Sequence, residues 1–509
     1  MNRWIQISLL FAAVFSFLLL TIPSNHSEAE DTCFYTRMAE QGVASELFHA
    51  HHLLYLPSMR ALSAVAAGCG YAGSALPLLI GFSMLSGALA VCLFAALVGR
   101  KKSGILFAAA LLFSYGFWRY STAAEIYIPV TALSLLALYC ARRSEDSPLF
   151  FWSCALSASG AILMHVISWP LVLVAIPFYF VATRRPQRAF LYFAAVLSIA
   201  AVVYILAVAG PGLTVFSDAD SLRETWMSPR AWLKGAAAWS QNVASANFLF
   251  TIQPVAEKLQ AFFPYHMLQE EVFMGRAAPG WIRFVAPGTF LVAAGAVLSV
   301  LVLSVKNIRR VAGTENWAWP VAVLLWLGGT AATALFFEPA NPEMWICSLA
   351  PFWLLVSLLW QIKPRSSGWI GVMVLALVAH NMAGGMSLVE SSRGDYCRQK
   401  AAWVAGQAQA SDLILTAESH AFVTFLQAHT SARVVDAKFM TPESWRALAN
   451  QVDGRVFVFS DVTEPLPPVT RRAPQAVEKL RQVADHLRPA LKALYKDQFG
   501  TVYEWSAAR

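Results

Sequence analysis

The residues best suited to chemistry lie in one short segment near the start of the chain, between the acidic pair Glu30-Asp31 and Tyr55. The acidic pair closely follows the first apolar run, and His51 precedes Tyr55 by one helical turn. Carboxylates at a membrane boundary are costly and usually have a task. The segment therefore predicts a functional role for these carboxylates, with a hydrated juxtamembrane loop as the alternative.

The elements that must position these residues are membrane helices. The 509-residue chain is 57% hydrophobic and 13% charged, whereas a soluble chain carries about a quarter charged residues. Several apolar runs approach the roughly 20 residues that cross a bilayer. We predict a mainly α, polytopic membrane protein with about eleven spans, the first retained in preference to a cleaved signal peptide. The predicted spans are about 4–21, 76–98, 104–119, 126–141, 149–166, 168–183, 188–209, 284–305, 316–337, 347–361 and 368–387.

The positions of the basic residues predict the orientation of these spans. The net charge is +8, and clusters such as Arg142-Arg143 and Arg184-Arg185 fall in every second connection. The positive-inside rule then gives a cytoplasmic N-terminus. Loops 23–75 and 210–283 and the C-terminal tail share the opposite side. Basic residues confined to short loops do not indicate a nucleic-acid partner, and the seven scattered cysteines show no metal-ligand spacing.

Other ionisable residues fall at the extracytoplasmic ends of the predicted spans. Arg119 and Glu125 flank one junction, His165 ends another span, and an acidic segment begins at Glu338. Their convergence on one membrane face predicts a pocket, although an Arg119–Glu125 ion pair and a core histidine are the structural alternatives. The predicted substrate-binding residues are Glu30, His51, Tyr55, Arg119, Glu125, Tyr127, His165, Glu338 and Glu343.

Loop 210–283 mixes aromatic residues with cations, a composition typical of helices that lie in the headgroup layer. It predicts a surface that receives a lipid with an anionic head, and an ordinary packed loop is the alternative. The residues concerned are Trp226, Trp232, Trp239, Phe262, Phe263 and Tyr265 among Arg223, Arg230, Lys234 and Lys258.

The composition after about residue 390 becomes that of a soluble domain, so we divide the chain into a membrane domain (1–390) and a small α/β domain (391–509). Strands are predicted at 412–416, 432–436, 455–459 and 500–504, and helices near 419–429, 442–452 and 473–497. Alternating strands and helices predict a partly parallel sheet. The domain carries no GxGxxG or GxxxxGK[ST] motif, so a recognition or lid role is favoured over nucleotide binding.

The order of the motifs resembles that of the DUF2723 family, which is related to the protein O-mannosyltransferases of the GT-C glycosyltransferase superfamily. Asp31 matches the leading aspartate of the first motif, His51 and Tyr55 match the ends of the second, and Glu125 and Tyr127 match the third. The second motif reads His-His-Leu-Leu-Tyr and lacks the family's prolines and glycine. Asp31 is followed by Thr-Cys-Phe in place of Ser-x-Glu. The resemblance covers roughly residues 1–210.

The resemblance implies an inverting transfer of a sugar from a polyprenyl-phosphate carrier to a glycan, lipid or protein acceptor outside the membrane. Asp31 is the implied base, and Arg119 or a basic residue of loop 210–283 stabilises the leaving phosphate. No cofactor is implied and a divalent metal is not expected. A bacterial inner membrane is the expected location, with membrane lipids as further partners. A transporter and a non-catalytic assembly component are the alternative functions.

Overall fold

The computed structural model describes residues 3–26, 29, 31–99, 102–210, 229–264, 266–314, 316–472 and 474–506. The chain forms two compact units. The first consists of Met1–Pro23, Met38–Ala246 and Phe284–Ser387, and the second of Ser24–Arg37, Asn247–Arg283 and Leu388–Arg509. Two segments that precede residue 390 thus belong to the second unit, and the division into domains at residue 390 stays a prediction.

The described chain up to residue 389 is helical. Its α-helices are α1 (Arg3–Leu20), α2 (Asp31–Gln41), α3 (Ala44–Leu47), α4 (Tyr55–Gly68), α5 (Leu76–Val98), α6 (Lys102–Leu112), α7 (Tyr115–Ser121), α8 (Tyr127–Arg142), α9 (Pro148–Met164), α10 (Ile176–Ala182), α11 (Pro186–Ala209), α12 (Pro229–Val243), α13 (Gln253–Phe262), α14 (Gln269–Ala277), α15 (Ile282–Val305), α16 (Ala318–Phe337), α17 (Ile346–Ile362), α18 (Gly368–Asn381) and α19 (Ser387–Val389). Short 3₁₀ or π segments lie at Val166–Ser168, Pro170–Ala175, Asn247–Thr251, Ile308–Gly313, Pro342–Trp345 and Met382–Met386.

Six helical stretches of the described chain are long and apolar enough to cross a membrane: Leu76–Val98, Pro186–Ala209, Ile282–Val311, Ala318–Phe337, Pro342–Ile362 and Gly368–Val389. Shorter apolar helices of 10–17 residues coincide with the other predicted runs. The predicted helices are therefore present, whereas the count of eleven spans stays a prediction. Leu191 and Ile205 on α11 and Leu291 on α15 are more than half exposed, as expected of side chains that face lipid.

Large aromatic side chains fill the core of the first unit, and two of its buried indoles donate hydrogen bonds to hydroxyl groups. Trp118 Nε1 donates to Thr21 Oγ1 at 2.8 Å, and Trp353 Nε1 donates to Ser114 Oγ at 2.8 Å. Both tryptophans are fully buried. A buried indole N–H needs such an acceptor, so these bonds fix which face of each helix points inward.

The second unit contains a five-stranded sheet with strand order β2-β1-β3-β5-β4. The strands are β1 (Leu413–Thr416), β2 (Arg433–Asp436), β3 (Val456–Phe459), β4 (Leu491–Asp497) and β5 (Gly500–Trp505). The helices of this region are α20 (Tyr396–Gln407), α21 (His420–His429), α22 (Pro442–Ala449), α23 (Ser460–Thr463), α24 (Pro467–Arg472) and α25 (Pro474–Leu487).

The predicted partly parallel sheet is confirmed. β1 pairs in parallel with β2 and β3, and β5 pairs antiparallel with β3 and β4. The central strands β1 and β3 are buried along their whole length, because apolar clusters pack on both faces of the sheet.

The prediction of one helix over residues 473–497 is wrong at its C-terminal half. The helix ends at Leu487, and residues Leu491–Asp497 form β4. Gly500 adopts a φ of +127°, which only glycine accepts readily, and it allows the chain to turn back into β5. Pairing with β5 thus overrides the helix propensity of this segment.

Candidate active site

The polar side chains of the first unit concentrate in a cluster of imidazole rings. We call it the histidine cluster, and it consists of His49, His51, His52 and His165. The ring centroid of His52 lies 4.3 Å from that of His51, 4.6 Å from that of His49 and 6.2 Å from that of His165. His51 is partly exposed and the other three are buried. Two predicted substrate-binding residues, His51 and His165, are therefore brought together.

Backbone hydrogen bonds hold the two segments of this cluster side by side. The N–H of Val166 donates to the carbonyl of His51 at 2.9 Å, and the N–H of Leu54 donates to the carbonyl of Leu163 at 2.9 Å. The cluster therefore forms where α9 ends and the chain becomes extended at His165. The two bonds satisfy backbone groups that the end of a helix leaves without a helical partner.

Tyr127, the first residue of α8, lies beside the cluster. Its ring centroid is 5.3 Å from that of His165, and its hydroxyl donates to Met344 Sδ at 3.8 Å. Nδ1 of His165 accepts the N–H of Ile167 at 3.0 Å, so the ring nitrogen that carries the proton is Nε2. Tyr55 is also buried and begins α4, three residues after His52.

Two rings of the cluster, His49 and His52, have lowered pKa values. Burial, together with the neighbouring His51, His165 and His49 rings, holds the pKa of His52 well below its usual value. Burial also lowers the pKa of His49. Both residues lie in the connection before α4, outside the apolar helices. A neutral imidazole exchanges hydrogen bonds with hydroxyl groups but supplies no charge to a phosphate.

Arg119 and Glu125 are fully buried in the first unit. Arg119 lies on α7, and Glu125 lies in the turn before α8. The turn is held from both sides of Glu125, because Ser83 Oγ donates to its carbonyl at 3.3 Å and accepts its N–H at 3.4 Å. Buried ionisable groups at membrane depth are functional candidates by default. Their role in substrate binding stays a prediction, as does the alternative ion pair.

The predicted acidic segment between α16 and α17 is organised by Asn341. Its Oδ1 accepts the N–H of Glu343 at 2.9 Å, and its Nδ2 donates to Glu338 Oε2 at 3.2 Å. Glu343 is buried and Glu338 is partly exposed. A further amide, Asn242 Nδ2 on α12, donates to the carbonyl of Pro342 at 2.7 Å. The two carboxylates therefore lie on a braced turn, and their part in the site stays a prediction.

Asp31, the predicted base, begins α2 and belongs to the second unit. It is partly exposed, and its Oδ2 accepts a hydrogen bond from the Tyr35 hydroxyl at 2.9 Å. An acid in the first turn of a helix is stabilised by the helix dipole. Glu30 lies outside the described residues. The prediction that Asp31 shares one cavity with Glu125 and His165 stays a prediction.

Helix α12 presents cations and aromatic residues from the predicted lipid-receiving loop. Arg230 and Lys234 are one helical turn apart, and Trp232 and Leu233 between them are about 60% exposed. Burial, and then the charge of Arg230, lowers the pKa of Lys234. Two like charges at this spacing repel each other, so an anion placed between them is favoured. Three other residues named for this loop, Arg223, Trp226 and Tyr265, lie outside the described residues.

Sequence reasoning missed a buried polar network around α18. Nδ2 of Asn381 donates to the carbonyls of Phe113 and Val243 at 2.7 and 2.9 Å, and its Oδ1 accepts the N–H of Ser245 at 2.9 Å. His380 Nε2 lies 2.7 Å from the carbonyl of Ser245. The signal was available, because an adjacent His-Asn pair within an apolar run needs internal partners.

A second missed group is a buried charge network in the second unit. Lys400 Nζ forms ion pairs with Glu418 and, at 2.9 Å, with Asp461. All three side chains are at most 4% exposed. Glu418 follows β1 and Asp461 follows β3, so the carboxylates lie at the carboxyl ends of neighbouring parallel strands. Burial alone lowers the pKa of Lys400, but the two carboxylates outweigh it and raise that pKa well above its usual value.

No protein-family model matches the sequence, and no curated protein matches it. Solved structures do match, and what they share with this chain is the fold. Two of them are structures of ArnT from Cupriavidus metallidurans. The apo form matches with a TM-score of 0.58 and 11% identity, over 100% of this chain and 99% of that chain. The form bound to undecaprenyl phosphate has a TM-score of 0.54, with the same identity and coverage.

At 11% identity the likeness to ArnT is one of fold. It shows a shared fold, and the GT-C relationship predicted from the sequence stays a prediction. Membership of the DUF2723 family is not shown, since no family model matches.

Proposed function

We propose that this chain is a membrane glycosyltransferase that moves a hexose from a polyprenyl-phosphate carrier to a hydroxyl group of a glycan, lipid or protein. The observation that carries the proposal is the fold shared with ArnT over essentially the full length of both chains. One of the two ArnT structures is bound to undecaprenyl phosphate. The six long apolar helices support a reaction at a membrane, where such a donor resides.

The proposed reaction is a single displacement with Asp31 as the base. The acceptor oxygen attacks the anomeric carbon, its proton passes to the Asp31 carboxylate, and the bond from that carbon to the phosphate oxygen breaks. The configuration inverts and the polyprenyl phosphate leaves with the electron pair. The partial exposure of Asp31 supports this role, and the Tyr35 hydroxyl orients the carboxylate through Oδ2.

The leaving phosphate needs positive charge more than it needs an acid. We assign this task to Arg230 and Lys234, because an anion relieves the repulsion between two cations one turn apart. The exposed Trp232 and Leu233 on the same helix suit the polyprenyl chain or the lipid around it. Arg119, the other predicted cation, is fully buried, and we assign it an electrostatic role within the site.

We assign the histidine cluster to binding of the donor sugar. Sugar hydroxyls both donate and accept hydrogen bonds, as does a neutral imidazole. The depressed pKa of His52 supports an uncharged ring at this position at pH 7. We assign Glu125, Glu338 and Glu343 the role of accepting hydrogen bonds from sugar hydroxyls.

The finer predictions form part of the same proposal. They include the DUF2723 relationship, an inner bacterial membrane, a cytoplasmic N-terminus and a periplasmic C-terminal domain. The α/β sheet supports a recognition role for that domain. The glycan, lipid or protein that accepts the sugar is left open.

The experiment is sugar transfer by the purified full-length protein from a panel of undecaprenyl-phosphate hexoses to acceptors from the native membrane. Asp31→Asn keeps the size of the side chain and removes the base, so turnover should fall on the order of 10²–10⁴-fold. Undecaprenyl phosphate binding by native mass spectrometry should be unchanged in this variant. The matched control is Glu257→Gln, an exposed carboxylate on α13 whose loss should leave turnover unchanged.

The cations are tested separately by Arg230→Gln/Lys234→Gln, which should weaken the binding of undecaprenyl phosphate. An Asp31→Asn protein that transfers sugar at the parental rate would refute the catalytic assignment. Binding of the lipid with no transfer from any hexose donor would favour a non-catalytic assembly component. Movement of a solute across sealed vesicles in place of transfer would favour a transporter.

A further inference from the structure

A groove lies on the first unit where helix α15 ends. The helix stops at Val305, and a 3₁₀ helix over Ile308–Gly313 follows after two residues. The groove has a volume of about 710 Å³. Its wall is aliphatic and its rim basic, and the residues that define it are Leu298, Leu301, Val302, Val305, Lys306 and Arg309. The groove is open and not enclosed, and its lining comes from one segment of the chain.

The opposite face of the same segment is anchored in the protein. Val300, Ser304, Asn307 and Val311 recur at helical spacing and are all buried. Nδ2 of Asn307 donates to the carbonyl of Leu359 on α17 at 3.0 Å. This bond holds the turn after α15 against α17.

The groove face is open and charged. Leu298, Val302 and Val305 are 61, 46 and 52% exposed. Lys306 and Arg309 are exposed too, and within the part of the chain that the structure describes neither forms an ion pair. Exposed aliphatic side chains are ordinary on a membrane helix, but a concave aliphatic wall that ends in two cations is a more specific feature.

The geometry points to a binding site for one anionic phospholipid, which goes beyond the proposed sugar transfer. The acyl chains lie along the wall formed by Leu298, Val302 and Val305, and the headgroup phosphate lies between Lys306 and Arg309. This connection belongs to the predicted cytoplasmic side, where anionic lipids attract basic residues next to a membrane helix. A zwitterionic lipid offers the same chains without the net charge, so charge is the discriminating property.

The test is a native mass-spectrometry titration of the purified full-length protein with phosphatidylglycerol and, in parallel, phosphatidylcholine. Phosphatidylglycerol should bind saturably and more tightly. The variant Lys306→Gln/Arg309→Gln should lose affinity for it by roughly 10- to 30-fold, since each cation near an anionic lipid contributes about a fivefold gain. The matched control, Lys363→Gln/Arg365→Gln, removes two exposed cations from another connection on the same predicted side and should change the affinity less than twofold.

A second variant keeps the charges and fills the groove. Val302→Trp should weaken phosphatidylglycerol binding while leaving Lys306 and Arg309 in place. Equal affinity for the two lipids would overturn the proposal, because the headgroup charge would then play no part in binding. Equal losses in the two double variants would overturn it too, because general positive charge and not this groove would then explain binding. Parental affinity in Val302→Trp would overturn it as well. The melting temperature of each variant in phosphatidylcholine nanodiscs shows whether the protein is folded.

Discussion

Replacement of Lys400 by Met tests whether the buried charge network stabilises the second unit. The Lys400 ammonium lies between the carboxylates of Glu418 and Asp461, and all three side chains are almost completely buried. Removal of the cation leaves two carboxylates in a space that water does not reach. Each keeps some donors, such as Tyr396 O–H to Glu418 and Ala417 N–H to Asp461, but their mutual repulsion is no longer compensated.

Breaking a buried ion pair by removing one partner typically costs about 3–5 kcal/mol. We expect Lys400→Met to lower the free energy required to unfold the sheet locally by this amount. The variant should recover part of the loss as the pH falls, because protonation of one carboxylate relieves the repulsion. In the parental protein the raised pKa of Lys400 gives a stabilisation that is complete below its unfolded-state pKa, roughly 10.4, and is lost only above that value. Between pH 6 and 9 Lys400 should therefore contribute no pH dependence to the parental protein.

The assay is hydrogen exchange of the full-length protein, followed on peptides that contain β1 and β3. Lys400→Met should speed exchange of these amides on the order of 10²- to 10³-fold at pH 8, since 1.4 kcal/mol corresponds to a factor of ten. The matched control is Arg455→Met in the same unit. Arg455 pairs with Asp412 at 3.3 Å but is 41% exposed, and exposed pairs contribute about 0–1 kcal/mol. Equal effects of the two substitutions, or a Lys400→Met effect that is the same at pH 5 and pH 8, would refute the reasoning.

Three further predictions concern the first unit. Because the pKa of His52 is lowered in the folded protein, the unfolded protein takes up a proton on this ring below about pH 6.5, and stability falls as the pH drops below that value. His52→Gln should therefore flatten the decline in melting temperature between pH 7 and pH 5. An unchanged slope would contradict this. Asn381→Leu removes the hydrogen-bond partner of three buried backbone groups, and each loss costs roughly 1–3 kcal/mol of stability. The melting temperature of this variant should be several degrees lower. The control Gln361→Leu, at a half-buried amide, should change the melting temperature little. The exposed Cys69 lies in a loop predicted to be extracytoplasmic, so a membrane-impermeant maleimide should label this residue in intact cells. Cells that express the control variant Cys69→Ser should lose this label. Labelling of Cys69 only after permeabilisation would contradict the predicted topology.

The membrane helices were predictable because their signal is local. Run 76–98 became the helix Leu76–Val98. Run 104–119 is broken into α6 and α7, with Ser114 before α7 in an extended conformation. Hydropathy averages over such a break, since both halves are apolar, so composition marks the run and tertiary contacts decide where the helix stops.

The strands differed in how well their own sequences predicted them, for a related reason. β1 and β3 are short, buried and rich in branched or aromatic residues, and their composition alone indicates a strand. β4 reads Leu-Lys-Ala-Leu-Tyr-Lys-Asp, lies at the edge of the sheet and is buried only in part. Its sequence favours a helix, and it becomes a strand only because β5 follows within three residues. Local propensity could not supply that pairing.

The charged residues of the second unit were the least predictable from sequence. Lys400, Glu418 and Asp461 are separated by 18 and 43 positions, and each resembles a solvated surface charge when taken alone. Their burial follows from the fold, because parallel strands bring Glu418 and Asp461 to the same edge of the sheet and α20 supplies the cation. No spacing rule links a helix residue to the ends of two later strands.

The histidine cluster shows which part of a site sequence can supply and which part it cannot. His51 was found in the motif that ends at Tyr55, and His165 at the end of a predicted span. Two backbone hydrogen bonds between segments more than 100 residues apart place them in one cluster. Their grouping also decides their chemistry. A single exposed histidine would be half protonated near pH 6.5 and a plausible partner for phosphate. Burial, and then the neighbouring rings, lowers the pKa of His52, so this residue is a neutral hydrogen-bonding group. In the proposed reaction the phosphate must then be stabilised elsewhere, and the paired cations of α12, Arg230 and Lys234, are the residues to which that argument leads.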